Sequence, residues 1–306
     1  MRFPQARDRI ATSLVCAVLL CAAGHVAAEV SFDTSDWRPN TLLMSITDGV
    51  DPIPQIRWHA YRNDLDWVRM LNPLGDSRPD GPPSIAWKAN GWPVVVWGYL
   101  NQDDHDIAFA EWTGEDWSVE FLTSSTEDER DPRVFVEPDG TLHVVWWINA
   151  GASSRVVLLT RNSDGDIWQN SVIVSPFEEV GRRPTVAVHE GTVRVAYERD
   201  VGTETFAESE LVIWRRENNG SFIQEAVLDA EWVDPMDPIL HVRGGRLWIS
   251  WKYSSDQFGY SERLHDGWEQ EATRPWTDPS WVGIETARLQ IQTFVVKRNT
   301  LPPTDP

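Results

Sequence analysis

Carboxylate side chains recur at one type of position in this sequence, directly before a proline. Asp131, Asp237 and Asp278 are each followed by proline, and Glu198 follows an aromatic residue. Two carboxyl groups about 5 to 9.5 Å apart can hydrolyse a glycosidic bond. We therefore take Asp131, Glu198, Asp237 and Asp278 as candidate catalytic residues. The alternative is a repeated Asp-Pro turn, in which Asp accepts backbone N–H groups and Pro fixes φ.

The densest group of carboxylate and imidazole side chains is the run Gln-Asp-Asp-His-Asp at 102–106. Carboxylate oxygens suit Ca²⁺, and a carboxylate or imidazole can also act as a general base. We therefore take Asp104, His105 and Asp106 as candidate ligand-binding residues, with Ca²⁺ as the cofactor this run would suit. The alternative is a solvated loop of an acidic protein. The sequence contains no motif for an organic cofactor.

Arginines stand out because the chain has 47 acidic residues against 27 basic ones. Clustered guanidinium groups bind a carboxylate or sulfate in bidentate fashion, so a uronic or sialic acid would suit them. Aromatic rings in loops would stack on sugar rings. The candidate ligand-binding residues of these two kinds are Arg133, Arg182, Arg183, Arg199, Tyr253 and Trp281. The alternative for the arginines is that they pair with acidic residues of the same loops.

The elements that must position these residues repeat along the chain. A glycine is followed six residues later by an aromatic residue in four places, and the aromatics lie 49, 51 and 54 residues apart. The runs between them alternate with period two, which indicates strands, and Asn-Gly or Asp-Gly turns indicate hairpins. A repeat of about 50 residues made of short strands is typical of a radial array. The four pairs are Gly91/Trp97, Gly140/Trp146, Gly191/Tyr197 and Gly245/Trp251.

The repeat predicts an all-β fold, a five-bladed β-propeller of four-stranded antiparallel blades, with six blades as the alternative. Strands at Ile56–Arg62 and Trp67 begin the array without a first half, and Trp281–Ile284 and Arg288–Val296 end it without a second half. We expect these N- and C-terminal strands to form one shared blade, because closure removes open sheet edges. The connections between blades, and those between second and third strands, then gather on one side, called here the loop face. That side is the expected ligand site.

The first 28 residues read as a secretory signal peptide. Three arginines precede the apolar stretch from Ile10 to Ala23, and small residues up to Ala28 suit cleavage there. Both cysteines lie in this segment, so no disulfide is expected in the mature chain. We predict a secreted or periplasmic protein with one propeller domain over 29–298, in which 29–50 forms an N-terminal clasp or extra strand. A disordered tail is expected over 299–306.

The net charge of −20 argues against nucleic acid as a partner. No segment after the signal peptide is long and apolar enough for the mature chain to insert into a membrane. The expected partner is therefore a glycan or another small extracellular ligand. The oligomeric state is not indicated.

The turn Ser163-Asp164-Gly165-Asp166-Ile167-Trp168 resembles the Asp box of the sialidase-like, or BNR-repeat, β-propellers, at a spacing one residue short. The turns in the other repeats are more degenerate. The resemblance implies a structural role for this turn, on the side opposite the active site. Sialidases also use an arginine triad, an Asp acid/base and a Tyr–Glu pair, and the first arginine usually lies in a Phe/Tyr-Arg-Ile-Pro motif. This chain has no such motif, and its nearest substitutes are Arg182-Arg183-Pro184 and Pro132-Arg133-Val134. Tyr197-Glu198 is the counterpart that the sequence offers for the Tyr–Glu pair.

Three functions remain open from the sequence. The first is a noncatalytic propeller that binds a glycan or other extracellular ligand on its loop face. The second is a glycoside hydrolase or related polysaccharide-active enzyme, since five-bladed glycosidases of the arabinanase and xylosidase type place carboxylates near the starts of inner strands. The third is a scaffold for another protein. The absence of a recognisable catalytic motif favours the first.

Overall fold

A computed structural model describes residues 81–275, with gaps at 82, 91, 102–103, 114–115, 152, 166, 177, 203–207, 229–234, 244, 253–256, 266 and 270–271. It also describes five short strands closer to the chain ends. All regular secondary structure in these residues is β-strand. Within them, no helix exists that could cross a membrane.

The strands, in chain order, are β1 (Ala27–Ala28), β2 (Leu43–Ser45), β3 (Arg57–Arg62), β4 (Leu65–Met70), β5 (Ser84–Trp87), β6 (Pro93–Asn101), β7 (Asp104–Trp112), β8 (Trp117–Phe121), β9 (Asp128–Val136), β10 (Leu142–Asn149), β11 (Ser154–Arg161), β12 (Val172–Ile173), β13 (Gly181–His189), β14 (Thr192–Asp200), β15 (Ser209–Arg216), β16 (Phe222–Leu228), β17 (Met236–Arg243), β18 (Arg246–Lys252), β19 (Gln257–Leu264), β20 (Gly267–Trp268), β21 (Ala272–Pro275) and β22 (Phe294–Val295).

Four antiparallel sheets follow one another along the chain, as the repeat predicts. Sheet I is β5–β8, sheet II is β9–β12 and sheet III is β13–β16, and in each the order in the sheet is the order in the sequence. Sheet IV is β17–β20, and β21 also pairs with β19, so that β20 and β21 together edge this sheet. The predicted all-β architecture of four-stranded antiparallel sheets is confirmed for this part of the chain.

The N-terminal strands pair differently from the prediction. Arg57–Arg62 lies between Leu65–Met70 and Leu43–Ser45, so both of its edges are taken by N-terminal strands. The expected pairing of a C-terminal strand with this segment is therefore wrong, since a partner close in sequence costs less loop-closure entropy. The 29–50 region supplies an extra strand here. Ala27–Ala28, at the end of the predicted signal peptide, pairs with Phe294–Val295.

The apolar core lies between sheets, because both faces of the middle sheets are buried. Phe109 of sheet I and Trp146 of sheet II belong to one buried cluster, and the opposite face of sheet II packs through Val145 on Tyr197 of sheet III. The next cluster joins Ile213 of sheet III to Trp251 of sheet IV. Successive sheets thus pack face to face, and the repeated aromatic residues fill the space between them.

Hydroxyl groups tie the first strands of neighbouring sheets together. Ser84 Oγ in β5 accepts the backbone N–H of Val134 in β9 at 3.2 Å. Thr185 Oγ1 in β13 accepts the backbone N–H of Leu240 in β17, also at 3.2 Å. These bonds satisfy backbone groups that no strand partner reaches. They fix the relative height of adjacent first strands, which carry several of the candidate residues.

Gly259 is required by the close packing of sheet IV. A Cβ at this position would overlap the indole ring of Trp251, its cross-strand partner, which is 1 % exposed. Gly259→Ala should therefore lower the free energy of unfolding by about 1–3 kcal/mol through overpacking. Gly165→Ala is the control, because its nearest atom would be 3.8 Å away. Equal thermal unfolding of the two variants would contradict this packing.

Candidate functional site

The first strands of sheets II, III and IV each contain a proline-associated bulge. Asp131, Arg183 and Asp237 stand directly before the prolines, with φ of 48°, 47° and 51°. Such angles are uncommon and strained for residues other than glycine, and the register of each strand shifts here. The Asp-Pro pairs are therefore bulges inside strands and not turns before them. Proline is tolerated because each first strand has a free edge.

Arg183 bridges two carboxylates on the loop face. Its Nη1 donates to both carboxylate oxygens of Glu198, at 3.2 and 3.0 Å, and its Nε lies 3.4 Å from Asp237 Oδ1. Lys252 Nζ contacts the other oxygen of Asp237 at 3.1 Å. The charge of Asp131 also acts on Arg183. We call Asp131, Arg183, Glu198, Asp237 and Lys252 the Arg183 cluster.

Burial and neighbouring charges shift the pKa values of Glu198 and Arg183 in the cluster. Glu198 is 7 % exposed, and burial raises the pKa of its carboxyl above the usual value. The guanidinium of Arg183 and the backbone N–H of Asp237, which donates to Glu198, offset this only in part. Partial burial lowers the pKa of Arg183, but the charges of Glu198, Asp237 and Asp131 outweigh it and the pKa lies above its ordinary value. The cluster therefore combines a carboxyl whose pKa is raised with a permanent cation.

The rim of the cluster remains open to solvent. The side chains of Arg183 and Asp237 are 46 % and 34 % exposed. Asp131 accepts the indole N–H of Trp147 at 2.8 Å, which orients its carboxylate. Half-exposed carboxylates beside a guanidinium present acceptors and donors at hydrogen-bond spacing, which is the chemistry that sugar hydroxyls need.

The acidic run near 104 is used for hydrogen bonds between sheets I and II. His105 Nδ1 lies 2.8 Å from Asp128 Oδ1. Asp106 is buried and accepts bonds from Asn101, Thr123 and Ser125. Asp104 begins β7 opposite Asn101. Among the described residues, no group of three or more His, Cys, Asp or Glu side chains could hold a metal ion, so the structure adds no support for Ca²⁺ here.

Glu129 is a buried acid that no sequence pattern marks. It is 2 % exposed, Ser125 donates to its Oε1 at 2.8 Å, and its Oε2 has no hydrogen-bond partner among the described residues. Burial raises the pKa of Glu129 to about 7, and the negative charges of Asp106 and Glu127 add to the rise. Glu129 lies two residues before Asp131, the member of the Arg183 cluster that forms the bulge in β9.

The other candidate arginines mostly pair with acidic residues, as the alternative interpretation expected. Arg199 binds Glu179 at 2.9 Å and also Glu210, and Arg182 lies 3.6 Å from Asp200. Arg133 makes one long bond, 3.5 Å, to the carbonyl of Pro132, and no ion pair with another described residue. None of these three contacts the carboxylates of the Arg183 cluster.

Tyr197 and Glu198 do not form the pair that sialidases use. The ring of Tyr197 is fully buried, and its hydroxyl donates to Glu179 at 2.5 Å. Glu198 points to the other side of β14, toward Arg183. Burial and the contact with Glu179 raise the pKa of Tyr197. Three further candidates, Asp278, Tyr253 and Trp281, lie outside the described residues.

Comparison with known proteins identifies the fold. No protein-family model matches the chain, and no curated protein does. A protein of unknown function from Dyadobacter fermentans superposes with a TM-score of 0.51 at 13 % identity, over 65 % of this chain and 69 % of that one. An ulvan lyase of polysaccharide lyase family PL25 gives 0.51 at 11 % identity, over 80 % and 71 %.

An endo-arabinase from Bacteroides thetaiotaomicron gives a TM-score of 0.50 at 10 % identity, over 82 % of this chain and 94 % of that one. The arabinanases and the lyase among these neighbours have propeller folds. At such low identity the likeness shows the fold alone. The chain is a β-propeller, in agreement with its face-to-face sheets.

The raised pKa of Glu129 should make stability depend on pH. Between the ordinary pKa of 4.5 and the folded value of about 7, the folded protein keeps a proton that the unfolded chain has released. The contribution of this proton is complete below pH 4.5 and is lost as the pH rises through 7. Glu129→Gln cannot ionise, so it should gain roughly 1–3 kcal/mol on wild type between pH 5 and pH 8. Urea unfolding measures this, and parallel pH profiles would contradict it.

Proposed function

We propose that this propeller binds a glycan on its loop face, at the Arg183 cluster. The observation that carries the proposal is a group of charged side chains around the half-exposed guanidinium of Arg183. Glu198 and Asp237 contact this guanidinium, and Lys252 contacts Asp237. The four residues come from four different strands, β13, β14, β17 and β18. Two strained bulges hold Arg183 and Asp237 in place. Strain of this kind concentrates at functional sites.

The charges of the cluster favour a ligand rich in hydroxyl groups. Glu198 and Asp237 already neutralise Arg183, so a free anion would have to compete with two carboxylates for it. A sugar hydroxyl can donate to a carboxylate and accept from the guanidinium without breaking that pair. The neighbouring folds include an endo-arabinase and an ulvan lyase bound to a GlcA–Rha3S chain, which is consistent with a glycan ligand.

The binding proposal is tested with a glycan array followed by calorimetry on the best ligand. Arg183→Gln removes the bridging cation and should weaken binding about tenfold or more, because hydrogen bonds to charged groups contribute about 1.5–3 kcal/mol. The matched control is Arg182→Gln, since its neighbour Arg182 only approaches Asp200 at 3.6 Å. Binding that is equally weakened in both variants, or an array without any bound glycan, would contradict the proposal.

A second candidate function is glycoside hydrolysis, and the raised pKa of the Glu198 carboxyl specifically favours it. A buried carboxyl that keeps its proton can serve as the general acid, and Asp131 or Asp237 would then be the base or nucleophile. In this function the ring of strained first strands positions the two carboxyl groups on either side of the scissile bond.

Release of reducing ends from the best-bound glycan separates hydrolysis from binding alone. Glu198→Gln should lower turnover about 100-fold or more while leaving binding within a few-fold, because it removes the proton donor. Asp200→Asn, on the same strand but outside the cluster, should retain activity. Undetectable reducing-end release by wild type on a glycan that it binds would leave the binding function alone.

We further infer the complete architecture and its location. The three-stranded sheet of β2–β4 would form a fifth blade, with its innermost strand supplied from the C-terminal part of the chain. This pairing would close the ring by joining the N- and C-terminal parts of the chain in one blade. The protein would be exported through the predicted signal peptide, and the Asp-box-like turns would place it beside the sialidase-like propellers. N-terminal sequencing of the mature protein tests the cleavage after Ala28.

A further inference from the structure

The side of the propeller opposite the loop face carries a second feature, an open cleft between sheets III and IV. Its volume is about 380 Å³, at the lower end of the range for small-molecule sites, about 300–1,000 Å³. Arg194, Arg215, Arg263 and Glu225 line one part, and Ile223 and Trp268 line another. Arg194 is four residues before Glu198 on β14, about 13 Å along the strand, so the cleft is separate from the Arg183 cluster.

The cleft has more positive charge than its own carboxylates neutralise. Glu225 accepts bonds from Arg194 at 2.8 Å and from Arg263 at 3.0 Å, and the pKa of its carboxyl is lowered because these contacts outweigh burial. Among the described residues, the carboxylate partner of Arg215 is Glu217 at 2.5 Å, which does not line the cleft. Its side chain is 40 % exposed. The lining itself therefore holds three cations and one anion in a protein of net charge −20.

Arg215 faces a like charge across the sheet, and its carboxylate partner Glu217 lies outside the cleft lining. Arg194 and Arg215 are directly opposite in the pairing of β14 with β15. Like charges at such a pair destabilise a sheet. Glu225, at a bulge in β16, is occupied by Arg194 and Arg263 and leaves Arg215 without a carboxylate inside the cleft. A bound anion would relieve this repulsion.

The equivalent place between sheets I and II has no such surplus. In sheet I, Glu111 is the cross-strand partner of Val94, at the position that Arg215 holds opposite Arg194 in sheet III. Sheet I therefore has a carboxylate where the cleft has a guanidinium. Glu111 binds Arg161 and Lys88. The guanidinium of Arg161 also lies over the rings of Phe109 and Trp168, at 5.1 and 5.0 Å, and these groups fill the space. The cleft between sheets III and IV therefore differs in charge from the equivalent place between sheets I and II.

We propose that this cleft is a second binding site, for a sugar ring that bears a carboxylate or sulfate. The anionic group binds Arg215, and the ring lies against Trp268 and the half-exposed Ile223. Gln224 and Thr192, which also line the cleft, supply amide and hydroxyl groups for the ring hydroxyls. The site is independent of glycan binding at the loop face.

The probes are D-glucuronate, D-glucose and inorganic sulfate, titrated by calorimetry into Arg183→Gln protein. This background removes the proposed loop-face site, so that failure there and failure here are distinguishable. Glucuronate should bind at least tenfold more tightly than either glucose, which lacks the charge, or sulfate, which lacks the ring. Absence of glucuronate binding, or binding of glucose or sulfate as tight as that of glucuronate, would overturn the proposal.

Arg215→Gln in the same background should weaken glucuronate binding about tenfold or more, because it removes a charge-assisted contact. Arg215→Glu, which installs the residue of the equivalent position in sheet I, should abolish it. The matched control is Arg216→Gln, the adjacent residue, whose guanidinium instead faces the carbonyl of Gly220. Unchanged affinity in Arg215→Gln, or equal loss in Arg216→Gln, would overturn the assignment. Wild-type melting temperatures in the variants confirm that they are folded.

Discussion

Burial of both faces of each sheet is the constraint on which the rest of this structure depends. A single antiparallel sheet can leave one face in water, but here Val145 and Trp146 of one strand contribute to the cores on opposite sides of sheet II. Every sheet therefore needs a neighbour on each side. In the described part of the chain, the Arg183 cluster lies outside these cores, at the strand ends and the free edges of the first strands.

The first strand of each sheet has an edge without a partner, and the bulges occur there. A strand paired on both sides could not accommodate Pro132 or Pro184, nor the positive φ of the residue before it. The strain is confined to this edge, because the pairing of each first strand continues on both sides of its bulge. The hydroxyl bond from Thr185 then aligns the first strands of sheets III and IV, which carry the bulges at Arg183 and Asp237. The Arg183 cluster follows from that alignment.

The sequence predicted much of the fold, because strand periodicity and Gly-to-aromatic spacing reflect burial directly. It also named Asp131, Glu198 and Asp237, which the structure places around Arg183. Lys252 and Glu129 were missed because their importance comes from a cross-strand partner and from burial, neither of which has a local pattern. Arg183 was named only as an arginine, since it interrupts the Asp-Pro pattern that marks the same bulge elsewhere.

One hydrogen bond links the backbone of sheet IV to an ionisable side chain of sheet III. The N–H of Asp237 in sheet IV donates to the carboxylate of Glu198 in sheet III, so a main-chain group of one sheet rests on an ionisable side chain of the next. When Glu198 takes up a proton, its oxygen becomes a weaker acceptor and the attraction of Arg183 is lost as well. Because burial outweighs both contacts and raises the pKa of Glu198, the folded protein resists the ionisation that would strengthen this bond. The seam between the two sheets therefore couples a main-chain hydrogen bond to the unfavourable burial of a charge.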